Sequence, residues 1–116
     1  MKLITLAVLV TAMFASPTLA QEARKPLVDW RGMTLYYSTQ DTGGTSHCGT
    51  GCASSWPPLY AAANATVSGD WNVTTRQDGY KQWTYQGKPL YTSTRDHKPG
   101  ETNGDGVDGV WRAARP

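Results

Sequence analysis

Gly32-Met33-Thr34-Leu35-Tyr36-Tyr37-Ser38-Thr39-Gln40-Asp41 and Gly87-Lys88-Pro89-Leu90-Tyr91-Thr92-Ser93-Thr94-Arg95-Asp96 share one pattern, G-x-x-L-Y-x-S-T-x-D, at an offset of 55 positions (87 − 32 = 55). The same offset pairs Gly49 with Gly104, Gly51 with Gly106 and Trp56 with Trp111 without a gap. Nine of the 32 aligned pairs between residues 30–61 and 85–116 are identical. A gapless match in which Trp falls on Trp reads as a tandem duplication, and it predicts two similar halves that bury one shared core.

Around that repeat the chain reads as all-β. Leu27–Trp30 and Met33–Tyr37 flank Arg31-Gly32, while Tyr80–Tyr85 and Pro89–Thr92 flank Gln86-Gly87, so each copy predicts a hairpin. Trp71–Arg76 alternates with period two and meets Tyr80–Trp83 across Gln77-Asp78-Gly79, a further hairpin signal. The two hairpin halves are expected to be related by a pseudo-two-fold. Ala53–Ala63 has room for a helical turn or two, and no longer stretch shows a helical period. Two long Gly/Ser/Asn/Asp-rich connections, Thr42–Ser55 and His97–Gly109, return to the fold at the paired Trp56 and Trp111.

Residues 1–20 read as a cleaved signal peptide: Met1-Lys2, an uncharged apolar run from Leu3 to Ala15, and the small-residue exit Thr18-Leu19-Ala20. The run is too short to span a bilayer, and no Cys near the cleavage point offers a lipid attachment site. Residues 21–26 form a polar, loose lead-in and residues 27–116 the duplicated domain. Removal of the signal leaves 96 residues (116 − 20), with ten basic and nine acidic side chains. That near-neutral balance argues against nucleic acid, whose binding needs a clustered basic face. The expected product is periplasmic or secreted, with no membrane anchor. All five Trp and six Tyr lie beyond the signal, whereas the only Ile and Phe lie within it. Aromatic rings, each removing ~150–250 Å² from water, therefore dominate burial. So small a body does not hold all eleven inside, and some should form an exposed patch.

Cys48 and Cys52 are the only cysteines. An oxidising compartment favours a disulfide between them, worth about 2 kcal/mol in the loop-entropy account. The alternative is a redox or soft-metal site, in which His47 joins two thiolates around copper or zinc. Glu101, Asn103, Asp105 and Gly106 follow calcium-loop spacing with Asp108 nearby. Arg112, however, occupies the twelfth position, where a bidentate Glu belongs, and a solvated Gly/Asp turn is the competing reading. Asp41 and Asp96 close the repeated motif either as turn-forming carboxylates or as a paired functional site, and Tyr36 and Tyr91 read as core rings. No nucleophile elbow or comparable constellation is present, so the chain reads as a non-catalytic binding module for an envelope partner or small ligand. Metal or redox-cofactor handling is the alternative.

Tyr36 to Asp41 and Tyr91 to Asp96 both carry the Tyr-x4-Asp spacing. Together with Cys48, Cys52, Trp56-Pro57-Pro58-Leu59, Arg76-Gln77-Asp78-Gly79, Gln82-Trp83-Thr84-Tyr85 and Gly106 to Trp111, the chain resembles the secreted-repeat family of bacterial predicted lipoproteins. The resemblance implies a bacterial envelope protein. It carries over no catalytic residues, because the family has no settled activity. Many members look lipid-anchored, and the absence of a lipobox Cys departs from them.

Overall fold

The computed structural model describes residues 24–116. The signal-peptide assignment lies outside the described residues, as does the start of the lead-in. Two antiparallel sheets account for nearly all regular structure. One pairs β1 (Tyr36–Ser38) with β5 (Trp111–Ala113), and the other has the order β2 (Trp71–Thr75), β3 (Lys81–Tyr85), β4 (Lys88–Pro89). The all-β expectation holds.

The β2–β3 hairpin runs in register from Trp71 opposite Tyr85 to Thr75 opposite Lys81. Gln86 and Gly87 turn β3 into β4 with φ of 49° and 77°. Glycine reaches that region at no steric cost, which is why the expected Gln-Gly turn works. The other expected hairpin is reduced. Leu27–Tyr37 folds back through one bridge, Val28 opposite Thr34, and the strand starts later and pairs with β5 instead. β5 itself, anticipated only as the return at Trp111, buries alternate residues Trp111 and Ala113 against β1. The expected helical turn also sits elsewhere, at α1 (Thr50–Ala53). Past Ser55 the chain is extended because prolines at 57 and 58 lack amide protons and disfavour helical backbone before them. Pro58 and Tyr60 bridge to Tyr91 and Gln82.

Tyr36 and Tyr91 join the sheets. Their main chains exchange both hydrogen bonds, Tyr36 N–H to Tyr91 O at 2.7 Å and Tyr91 N–H to Tyr36 O at 2.8 Å. Other backbone bonds recur at the repeat offset. Ala114 N–H donates to Leu35 O and Leu59 N–H to Leu90 O, both at 2.8 Å; Thr39 N–H reaches Val110 O at 2.9 Å and Thr94 N–H reaches Ser55 O at 3.1 Å. Leu35 and Leu90, fully buried, anchor one apolar cluster; Tyr36, Tyr91, Trp56, Trp111 and Cys48 form the other.

Gly104 is the tightest point in the second cluster. A Cβ there would lie 2.8 Å from the Trp56 ring and 3.0 Å from Tyr36, whereas at its counterpart Gly49 nothing lies within 4 Å. Gly104→Ala is therefore expected to lose about 1–3 kcal/mol through overpacking. At ~4–8 °C per kcal/mol for a domain this size, thermal melts read the loss directly. Gly49→Ala should melt with the wild type, and equal melting of the two variants would refute the packing assignment.

Candidate functional site

The repeated tyrosines and aspartates meet crosswise. Tyr36 Oη donates to Asp96 Oδ2 at 2.6 Å, and Tyr91 Oη donates to Asp41 Oδ2 at 2.7 Å. Each carboxylate also accepts a backbone N–H through Oδ1, from His47 at 2.7 Å for Asp41 and from Asn103 at 2.8 Å for Asp96. The phenol oxygens accept in turn: Gly104 N–H reaches Tyr36 at 3.2 Å, and the Ser46 hydroxyl lies 2.6 Å from Tyr91. Between the tyrosines, Trp56 and Trp111 stack with centroids 3.9 Å apart and planes 5° from parallel. Tyr36 meets Trp56 edge-on at 5.5 Å, and Tyr91 meets Trp111 edge-on at 5.0 Å. The order is thus Tyr36, Trp56, Trp111, Tyr91, with a carboxylate at either end.

Burial, reinforced by the bond to Asp96, pushes the Tyr36 phenol well above its ordinary range. Burial does the same at Tyr91, where Asp41 adds to the rise and Ser46 opposes it. Cys48 and Cys52 form a disulfide, so their sulfurs are not thiolate ligands in this state. His47 turns its ring toward the Thr42 hydroxyl at 3.3 Å. Asp105 accepts Ala113 N–H at 3.1 Å and pairs with Arg115, while the Asn103 amide donates to Arg95 O. Asp108 stands in the short 3-10 turn Val107–Gly109 with φ of 56°. Among the described residues no group of three or more His, Cys, Asp or Glu is placed to share an ion.

Two features escaped the sequence reading. The first is Arg76, almost wholly buried, which donates to Asp78, to Ser46 Oγ at 3.1 Å and to Cys48 O at 2.7 Å, tying the β2–β3 hairpin to the disulfide loop. The Arg76-Gln77-Asp78-Gly79 motif was its only signal. The second is an open groove of about 690 Å³, lined by Trp30, Pro57, Pro58, Tyr60, Trp71 and Trp83 among others. Trp30 is 91% exposed and Tyr60 52%. Five lining residues, Trp30, Arg31, Leu59, Tyr60 and Thr92, have Tyr85, Gln86, Ala114, Arg115 and Tyr37 at the repeat offset. Those five counterparts line a cleft of only about 10 Å³. The Tyr37 ring and Lys88, 4.4 Å apart, help fill it.

The profile of a family described as a secreted repeat of unknown function matches residues 22–60 and 72–115, one stretch on each copy and together well over half of the chain. The chain belongs to this family. As a secreted-repeat protein it is exported, and the tandem matches place a Tyr-x4-Asp motif in each stretch. No curated protein and no solved structure matches it.

The crossed geometry predicts a specific coupling. Tyr36→Phe removes the donor, and Asp96→Asn the acceptor's charge, of a short charge-assisted hydrogen bond worth roughly 1.5–3 kcal/mol. In a double-mutant cycle they should couple by about 0.5–3 kcal/mol, whereas Tyr36→Phe with Asp41→Asn should be nearly additive. The reverse ranking in chemical denaturation would refute the crossed pairing.

The raised phenols set an alkaline limit. Both tyrosines hold their protons more tightly folded than unfolded. Their contribution to stability is therefore complete below the ordinary phenol value of about 10 and is lost as pH rises from there through the folded values. Spectrophotometric titration of native protein should show a late-ionising step that Tyr36→Phe/Tyr91→Phe removes. A wild-type curve without that step would refute the assignment.

Proposed function

We propose that this exported secreted-repeat protein is a non-catalytic binding module of the bacterial envelope, and that the aromatic groove holds its ligand. In this reading the scaffold is two duplicated halves related by a pseudo-two-fold, a relation supported by the backbone bonds that recur at the repeat offset. The observation that carries the binding reading is the difference between equivalent positions: one half opens a groove of about 690 Å³ where the other is filled. A core requires no such opening, because the filled half packs without it. Apolar clefts with a few polar groups are the usual form of a ligand site.

The lining suits an extended ligand with flat apolar faces. Trp30, Tyr60, Trp71 and Trp83 present rings, and Tyr80 stands edge-on to Tyr60 at 5.5 Å. Sugar rings in a glycan and proline rings in an extended peptide both offer such faces beside hydrogen-bond acceptors. Thr92→Tyr tests the groove by installing the residue that fills the other half. A chitin-type oligosaccharide and a proline-rich peptide, titrated by tryptophan fluorescence, are the probes. Binding of either by wild type, lost in Thr92→Tyr and weakened in Trp30→Ala at unchanged melting temperature, is the expected result. Binding of neither probe, or equal binding by all three proteins, would overturn the groove assignment.

A further inference from the structure

The four-ring array has a property that packing alone does not call for. Tryptophan and tyrosine are the side chains most readily oxidised by one electron, apart from thiols and thioethers. Here both cysteines are already joined, and Tyr36, Trp56, Trp111 and Tyr91 form an unbroken series with centroid separations of 5.5, 3.9 and 5.0 Å. Face-to-face indoles share a positive charge. A phenol that loses an electron becomes a strong acid and must shed its proton, and each terminal phenol already donates to a carboxylate at 2.6 or 2.7 Å. The other oxygen of each carboxylate is held by a backbone N–H, so Oδ2 stays aimed at the phenol.

We propose that this array is a one-electron donor to oxidising radicals, in which the Trp56–Trp111 pair takes the first oxidation and Tyr36 holds the resulting radical. Trp56 and Trp111 are 7% and 6% exposed as residues, so the array lies just beneath the surface, within electron-transfer reach of a small oxidant in solution. An inorganic or peroxyl radical takes one electron from the stacked indoles and leaves as its anion. Tyr36 returns an electron to the indoles and passes its phenolic proton to the Asp96 carboxylate. The sum is one electron lost by Tyr36 and one gained by the oxidant, with a neutral phenoxyl radical beside a neutral carboxylic acid. The Tyr36 end is preferred over Tyr91 because of what each oxygen accepts. Tyr91 lies 2.6 Å from the Ser46 hydroxyl, which Arg76 supports at 3.1 Å, and donation from Ser46 disfavours removal of electron density. Tyr36 accepts only a longer bond from Gly104 N–H at 3.2 Å.

Pulse radiolysis with the azidyl radical tests the proposal on the full-length protein carrying Trp30→Phe, Trp71→Phe and Trp83→Phe, so that the accessible groove indoles do not compete with Trp56 and Trp111, and paramagnetic resonance with ring-deuterated tyrosine identifies the product. The expected result is an indole radical that decays into a long-lived tyrosyl radical at a rate independent of protein concentration and slowed in heavy water. Tyr36→Phe should lose that long-lived signal. Asp96→Asn should slow its formation and make the rate depend on buffer base, because solvent must then take the proton. An unchanged tyrosyl signal in Tyr36→Phe would overturn the assignment. Should Tyr36→Phe fail to fold, the protein that lacks only the three groove indoles decides alone: absence of a solvent isotope effect on indole decay would equally overturn it. Neither outcome touches the groove, whose ligand titration is independent of this chemistry.

Discussion

Neither copy of the motif is complete without the other. The tyrosine of each copy finds its carboxylate in the opposite one, and the two main chains meet where Tyr36 and Tyr91 exchange hydrogen bonds. A buried carboxylate or phenol left unpaired would cost several kcal/mol, so each aspartate needs a tyrosine and each tyrosine an aspartate. This makes the core cooperative despite its few aliphatic side chains. The paired indoles gain contact only when both loops have returned to their places, because Trp56 and Trp111 end the two long connections. Sheet pairing, polar satisfaction and aromatic packing thus depend on one crossing.

That crossing leaves the outer faces free to differ. Thr92 and Tyr37 each follow a motif tyrosine directly, and the hydroxyl lines the open flank where the ring lines the filled one. The exposed rings then fall on the open side, where Trp30, Tyr60 and Tyr80 stand in solvent. Large exposed aromatics scattered singly need no explanation, but rings gathered along one cleft, opposite a filled counterpart, do.

Much of this was legible in the residues. The 55-residue offset marked the tyrosines, aspartates and tryptophans that form the core, and Asp78-Gly79 and Gln86-Gly87 marked turns that the β2–β3–β4 sheet contains. What the pattern could not carry was direction across the repeat. The repeat marks a tyrosine and an aspartate in each copy without saying which meets which, and only the folded chain shows Tyr36 serving Asp96. β5 was illegible because three residues show no usable alternation, and its strand character comes from pairing with β1. Arg76 was legible only as the end of an alternating strand run, and its burial depends on the Cys48 carbonyl that the disulfide loop brings to it. The groove was visible only as a surplus of rings, since its shape comes from the identity of residues far apart in sequence.

The two loops behind the carboxylates reach one geometry by different local chemistry. In the first, a disulfide closes Cys48 to Cys52, and Arg76 holds the Cys48 carbonyl while His47 N–H meets Asp41. In the second, Asn103 and Val107 occupy the cysteine positions. There Glu101 accepts the amides of His97 and Lys98, Asn103 N–H meets Asp96, and Gly104 closes onto Trp56. A five-residue disulfide ring restricts the unfolded chain by only about 2 kcal/mol, so it stiffens a loop rather than securing the fold. A glycine that admits an indole edge does comparable positioning without a covalent bond. The constraint shared by both copies is therefore the placement of an amide and a carboxylate against a tyrosine of the other half, and each loop meets it with the residues it has.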